Sequence, residues 1–467
     1  MLFHSLYSPQ SGVNIEQFVC ALHEDLKISF FKQAWNRVVQ RHPILRTSFH
    51  FEGIKEPLQN VHRQVTIPFE EQDCRGLSAT QQEDKLKSYL QVDRQRGFQL
   101  TEAPLMRLAL FRVDESDYHC AWTFHHVLLD GRSFPIVFQE LFAFYEAFCQ
   151  GKSIHLKPSR PYRDYIAWLK QQNLSQLELY WRQVLQGFRA PTPLMVPILS
   201  SRYQGGGYSQ QHIQVSATTA TALKAIAHKY QLTLNTLMQG AWALLLSHYS
   251  NKEDVVFGTV VSGRPPALTG VESMVGLFIN TLPLRVHVSP DQSLLSWLKN
   301  LQFQQLELRQ YEHSPLGQVQ SWSDVPKGLP LFESIVVFQN SAVDISRLPT
   351  GNFKISNIQS IGHSNFPLSI RITPSPELLL EVIYDLQRFT KATVTKIMGH
   401  LEALLSRMVP QLDFPLSALT EILSIALRIH VRTFIECSIH TITKCLKFIP
   451  PLLHPILEYK PPAFNFV

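Results

Sequence analysis

The stretch Phe124-His125-His126-Val127-Leu128-Leu129-Asp130-Gly131-Arg132-Ser133 gathers the most chemistry in the chain, where an apolar strand gives way to a helix. Such a junction can present a side chain to a cavity. Successive residues leaving a strand face opposite sides of its sheet, so only one of His125 and His126 can easily point into a given substrate channel, and the other is structural. Asp130, four residues beyond His126, can fold back across the loop to order the imidazole or pair with a cation elsewhere. Gly131 removes a side chain where the backbone must turn sharply. A metal centre at His125, His126 and Asp130 is poorly supported, because no third nitrogen or sulfur ligand recurs at suitable spacing. The bland alternative is a pair of core histidines capped by a turn aspartate.

The elements that must position this junction can be read from periodicity. Phe30, Ala34, Trp35 and Val38 predict a helix over 29–40, followed by a turn at Arg41-His42-Pro43 and a strand over 44–51. A polar surface helix is expected over 81–96, strands over 105–113 and 118–124, and a helix from about Ser133, with Ser133 as its N-cap and Pro135 in its first turn. A long helix is expected over 163–185, and a Pro/Gly-rich stretch at 190–207 reads as a lobe boundary. Helices are then expected at 218–230, 234–249, 294–309 and 391–408, and strands at 254–261, 279–288, 333–339 and 378–385. Helices and strands mix through both halves, so the fold class is α/β.

At 467 residues the chain should form two lobes, and its 45% hydrophobic and 17% charged content is that of a folded globular protein. A net charge of +6, scattered rather than clustered, gives no support to nucleic-acid binding. Cys20, Cys74, Cys120, Cys149, Cys437 and Cys445 form no C-x-x-C pair and fit reduced thiols in the cytoplasm. No apolar run approaches the roughly 20 residues that span a bilayer, and the start lacks the order of a signal peptide. From about residue 422 the composition changes, and the segment 422–467 reads either as an amphipathic helix with a linker or as an out-of-frame translation.

His125 to Gly131 matches, at every fixed position, the His-His-x-x-x-Asp-Gly motif of nonribosomal peptide synthetase condensation domains, and the chain resembles that family in further ordered motifs. These are Arg41-His42-Pro43-Ile44-Leu45-Arg46-Thr47-Ser48-Phe49, Tyr162-Arg163-Asp164-Tyr165-Ile166-Ala167-Trp168 and Val275-Gly276-Leu277-Phe278-Ile279-Asn280-Thr281-Leu282-Pro283-Leu284-Arg285. Tyr311-Glu312-His313-Ser314-Pro315-Leu316 and Phe332-Glu333-Ser334-Ile335-Val336-Val337-Phe338-Gln339-Asn340 follow, and the resemblance covers about 1–421. It implies two chloramphenicol-acetyltransferase-like lobes, 1–188 and 189–421, forming a V around a central tunnel with His126 near its middle. Donor and acceptor thioesters would enter on the phosphopantetheine arms of peptidyl or acyl carrier proteins, beside an adenylation domain, and an amide bond would form. No cofactor or metal of the domain's own, no nucleic acid and no membrane are implied.

By the same resemblance His126 is the catalytic residue, and His125, Asp130 and Gly131 support it. Asp130 is expected to pair with Arg285 and tie the lobes together. Asn340 and Arg132 are candidates for the tunnel wall, Arg132 standing where many members carry Trp, and Arg46 either braces the fold or touches substrate. Two departures stand out: the chain starts at Met1-Leu2-Phe3-His4-Ser5-Leu6-Tyr7, inside the family's first motif region, and its tail replaces the passage toward an adenylation domain. Competing readings are an epimerization domain, a free-standing acyltransferase, or a truncated non-catalytic platform that docks carriers.

Overall fold

Strand alternation builds the first core. Along Asp117–His125, the residues Tyr118, Cys120, Trp122 and Phe124 share one face, because neighbouring strand residues point to opposite sides. They meet Phe18, Cys20 and Leu22 of the adjoining strand and the helical Trp35 and Phe138, all buried. Trp35 and Trp122 pack with ring centroids 5.0 Å apart.

The computed structural model describes residues 12–54, 57–194, 207–339, 354–363, 365–374 and 377–419. The expected readings of Met1 to Tyr7, Asn340, Cys437, Cys445 and the tail 422–467 therefore lie outside the described residues. The chain runs β1 (Ile15–His23), α1 (Ile28–Arg41), β2 (Thr47–His50), β3 (Leu58–Val61), β4 (Phe69–Asp73), α2 (Ala79–Arg96), β5 (Met106–Arg112), β6 (Asp117–His125), α3 (Phe134–Cys149), α4 (Arg163–Lys170) and α5 (Leu174–Val184). It continues as β7 (Tyr208–Gln214), α6 (Ala217–Tyr230), α7 (Leu234–Ser250), β8 (Asp254–Val261), β9 (Asn280–His287), α8 (Leu294–Leu308), α9 (Leu316–Ser321), β10 (Ser334–Phe338), β11 (Lys354–Gly362), β12 (Leu368–Thr373), β13 (Leu379–Asp385) and α10 (Lys391–Met408).

A five-stranded sheet has the order β11-β1-β6-β5-β4, and a six-stranded sheet the order β7-β13-β12-β10-β8-β9. Helices α1 and α3 cover one face of the first sheet. Helix α2 covers the other through Leu90, against Phe111 and Ala121. Its start is fixed by a capping box in which Ser78 and Gln81 satisfy each other's free backbone amides. Helices α6, α7, α8 and α10 bury one face of the second sheet, and Trp181 of α5 packs on the other beside Phe332.

Two expectations need correction. The single helix over 163–185 is two helices, because the Asn173 side chain accepts from the Ser175 and Gln176 amides and starts α5 afresh. The strand over 44–51 begins instead as a short 3-10 turn, Pro43–Arg46, led by the fixed φ of proline. Segments after residue 188 also join the first sheet and its core: β11 pairs antiparallel with β1, and Val271, Met274, Val275 and Phe278 sit in the first core. Among the described residues, no helix is long and apolar enough to cross a membrane.

Candidate active site

Strand β6 delivers the histidines, and backbone hydrogen bonds fix where it ends. His125 N–H donates to the Leu105 carbonyl at 2.9 Å, and His126 N–H donates to the Asn14 carbonyl at 2.8 Å. The chain then turns tightly, with Leu128 N–H on the His125 carbonyl at 3.0 Å and Val127 N–H on Nδ1 of His125 at 3.1 Å. Since Nδ1 of His125 accepts, a neutral ring carries its proton on Nε2. Burial, followed by the neighbouring His126, pushes the His125 pKa down to about 3, so this ring is uncharged near neutrality. His125 is 2% exposed, whereas His126 is only partly buried. The Nδ1 atom of His126 has no hydrogen-bond partner among the described residues.

Asp130 does not turn back to that imidazole. Its Oδ1 accepts from Ser133 N–H at 3.1 Å, the Ser133 hydroxyl at 3.0 Å and Nη2 of Arg264 at 3.2 Å, and its Oδ2 accepts from Phe278 N–H at 3.0 Å. A carboxylate with no solvent exposure has its lone pairs satisfied in this way, which is what permits its burial. Arg264 is held in turn by the carbonyls of Val271 at 2.6 Å and Met274 at 3.0 Å, with its guanidinium 4.0 Å from the Phe278 ring centroid. The junction after β6 is thereby latched to residues 264–278, the connection between β8 and β9.

The pairing of Asp130 with Arg285 is thus corrected. Arg285 makes a two-pronged contact with Asp254, Nε to Oδ1 at 2.9 Å and Nη2 to Oδ2 at 2.7 Å, and also donates to the carbonyls of Val184 and Gln186. Asp254 and Arg285 open β8 and sit near the end of β9, where they are register neighbours, Val256 being the direct partner of Arg285. They border a cleft of about 400 Å³ lined also by Tyr180, His287, Gln304 and Glu307, and neither His125 nor His126 is among its lining residues.

Two glycines let the latch close. A Cβ on Gly276 would lie 2.1 Å from Cδ2 of Tyr162, and one on Gly263 would lie 1.8 Å from the Phe278 carbonyl oxygen. Gly263 also holds φ at +59°, in the left-handed region. Gly131 behaves differently from expectation: its φ is not left-handed, and an added Cβ would meet nothing within 4 Å. Gly131 is exposed, and a side chain there would point into open space.

Ser133 precedes α3 as expected, but its hydroxyl does not cap the helix. It reaches Asp130 and the Gly276 carbonyl, each at 3.0 Å, and accepts from Gly276 N–H at 3.1 Å and from Arg264 at 3.2 Å. Arg132 is exposed and pairs with Glu272 at 2.8 Å, adding an outer tie to the same connection. Arg46 donates to the His62 carbonyl and so braces β2 against β3. No group of three His, Cys, Asp or Glu residues among those described is arranged to hold a metal ion. Sequence reasoning missed Arg264; its Gly-Arg-Pro-Pro setting after β8 marks a turn but names no partner.

The family model described as Condensation domain matches residues 1–424. A linear gramicidin synthase of Brevibacillus parabrevis is 44% identical over 412 residues, covering 87% of this chain and 8% of that protein. Surfactin synthase subunit 3 of Bacillus subtilis (strain 168) is 33% identical over 424 residues, covering 90% of this chain and 33% of its own length. The chain therefore spans only a small part of the relatives it matches. Among solved structures, the X-domain from teicoplanin biosynthesis aligns with a TM-score of 0.75 at 20% identity, covering 89% of this chain and 95% of that one. The first condensation domain of the calcium-dependent antibiotic synthetase, in complex with a substrate analogue, aligns with a TM-score of 0.73 at 16% identity, covering 89% and 96%. At such identities these two likenesses concern the fold.

Proposed function

The chain belongs to the Condensation domain family, and from that premise we propose that it forms an amide bond between a donor acyl or peptidyl thioester and an acceptor aminoacyl thioester. Both substrates arrive on phosphopantetheine arms of carrier proteins, within a cytoplasmic synthetase that also holds an adenylation domain. They meet at His126 in a tunnel between the two lobes. The domain itself binds no cofactor.

One observation carries this reading. His126 keeps a partly open ring at the junction while the neighbouring His125, Asp130 and Ser133 are buried and committed to structure. With Asp130 engaged by Arg264, no acid from the motif orients the His126 ring or strengthens it as a base. The chemistry tolerates that. An α-amino group titrates near 7.7–8.0, so a useful fraction of the acceptor amine is already neutral at cellular pH. General-base help is typically worth about 10²–10⁴ in rate, whereas holding two tethered reactants in line supplies roughly 7–11 kcal/mol.

The amine attacks the thioester carbonyl, forming the C–N bond and a tetrahedral centre that carries an oxyanion and an ammonium. His126 accepts the ammonium proton or a hydrogen bond from it. Collapse breaks the C–S bond and releases the donor arm as a thiol. A backbone amide near Gly131 can donate to the oxyanion.

The test supplies one donor thioester and one acceptor thioester on separate carriers and follows the acceptor carrier by intact-protein mass spectrometry. The expected result is an acceptor carrier heavier by the donor acyl group. Stereochemical inversion with a single aminoacyl carrier would instead support epimerization. Carrier binding without product from any donor and acceptor would favour the docking platform.

A further inference from the structure

At the far end of the first sheet, away from His126, three strands bring a hydroxyl, an imidazole and a carboxylate into one hydrogen-bonded row. His23 ends β1, Asp117 is its partner at the start of β6, and Ser356 on β11 stands opposite Ala21. His23 and Ala21 are two residues apart on one strand, so all three side chains project from the same face. Nδ1 of His23 lies 2.6 Å from Oδ1 of Asp117, and Nε2 lies 2.6 Å from Oγ of Ser356. An ionised carboxylate can only accept, so Nδ1 carries the proton. In the neutral ring Nε2 is then the acceptor, and the Ser356 hydroxyl donates to it. That is the order of an activated nucleophile: a hydroxyl, a base, and an acid that fixes the base's tautomer.

The backbone supplies a second, independent observation. The β1–β11 ladder slips at this point, since Val19 pairs with Gln359 but Ala21 pairs with Ser356. Asn357 and Ile358 thus face the single residue Cys20, and Asn357 adopts a left-handed φ of +52°. Such bulges re-aim the side chains beside them and gather near active sites. The site is also reachable, with His23 and Asp117 side chains 43% and 41% exposed. Lys354, the register partner of His23, adds a cation on the same face for a developing oxyanion.

We propose that Ser356, His23 and Asp117 form a second nucleophilic centre, which takes small acyl groups from activated thioesters or esters and passes them to water. Ser356 Oγ bonds to the acyl carbon as its proton moves to Nε2 of His23. The C–S bond then breaks, and the departing thiolate takes that proton. A water molecule, deprotonated by the same nitrogen, attacks the acyl-serine; the bond from the acyl carbon to Oγ breaks, and a carboxylic acid leaves as Ser356 recovers its proton. The sum is thioester plus water to acid plus thiol.

The probe is a fluorophosphonate, whose phosphorus bonds to an activated serine with loss of fluoride, read by peptide mass spectrometry on the whole chain. We expect one phosphonyl group on Ser356 of the unaltered protein. Labelling should be absent in Ser356→Ala and slowed by about 10²-fold or more in His23→Gln, the lower end of general-base help. Melting temperatures should be unchanged, and Ser356→Ala should condense carrier-bound substrates at the normal rate. The proposal is overturned if Ser356 of the unaltered protein stays unlabelled, or if folded His23→Gln reacts as fast.

Discussion

Two of the aspartate–arginine pairs that brace this molecule live in opposite surroundings. The side chains of Asp130 and Arg264 are 0% and 1% exposed, while those of Asp254 and Arg285 are 39% and 25% exposed. The wet pair is two-pronged and the dry pair a single 3.2 Å contact, yet the dry pair joins distant segments and the wet pair ties together neighbouring strands. Burial makes the first pair an all-or-nothing device. Removing one member strands the other charge where water cannot reach it, which costs about 3–5 kcal/mol, whereas exposed pairs are worth roughly 0–1 kcal/mol.

The comparison breaks most readily at Asp130. Asp130→Ala and Arg264→Ala should each lower the unfolding free energy by about 3–5 kcal/mol in urea titration, and the double variant should lose less than the sum, because neither charge is then stranded. Strict additivity would mean that the two groups do not act as a unit. Next comes Gly276→Ala, whose new methyl meets the Tyr162 ring and should cost about 1–3 kcal/mol by overpacking. Trimming that ring as well, with Tyr162→Ala, should shrink the additional penalty for the methyl.

Dryness around the latch should also appear in acid. His125 titrates near 3 when folded, against an ordinary value of about 6.5, so between those values the unfolded chain binds more protons. Its contribution is complete above about pH 6.5 and fades as pH falls toward about 3, by up to ~1.4 kcal/mol per pH unit. His363 adds to the same limb, its pKa held near 4 by burial and by the charges of Arg94 and Arg371. Urea titrations across this range should show a shallower acid slope in His125→Asn. The smallest effect belongs to the exposed pair: Arg285→Ala should cost about 1 kcal/mol or less through its ion pair. Added salt should blunt the effect of Arg285→Ala far more than that of Arg264→Ala.

Local pattern was legible, and distant pairing was not. The helix 391–408 and the strand 254–261 were expected with the bounds they have, since each carries its own periodicity. The junction at His126 was legible because a strand and a helix announce themselves on either side of it. Strand β11 escaped notice because one face is largely open, its apolar pattern is weak and its partner β1 lies more than 300 residues away. Arg264 escaped for the same reason, as nothing in its neighbours points to Asp130. Arg285 drew attention as the end of a recognisable motif, and Asp254 satisfies it within the same sheet.

Single-turnover amide formation by His126→Ala, against the unaltered protein and with both carriers loaded, tests the central claim most directly. Among the described residues the imidazole makes no hydrogen bond from its buried Nδ1, so melting should stay nearly unchanged while the rate falls by about 10²-fold or more. A folded His126→Ala variant that forms the amide at the unaltered rate would contradict it.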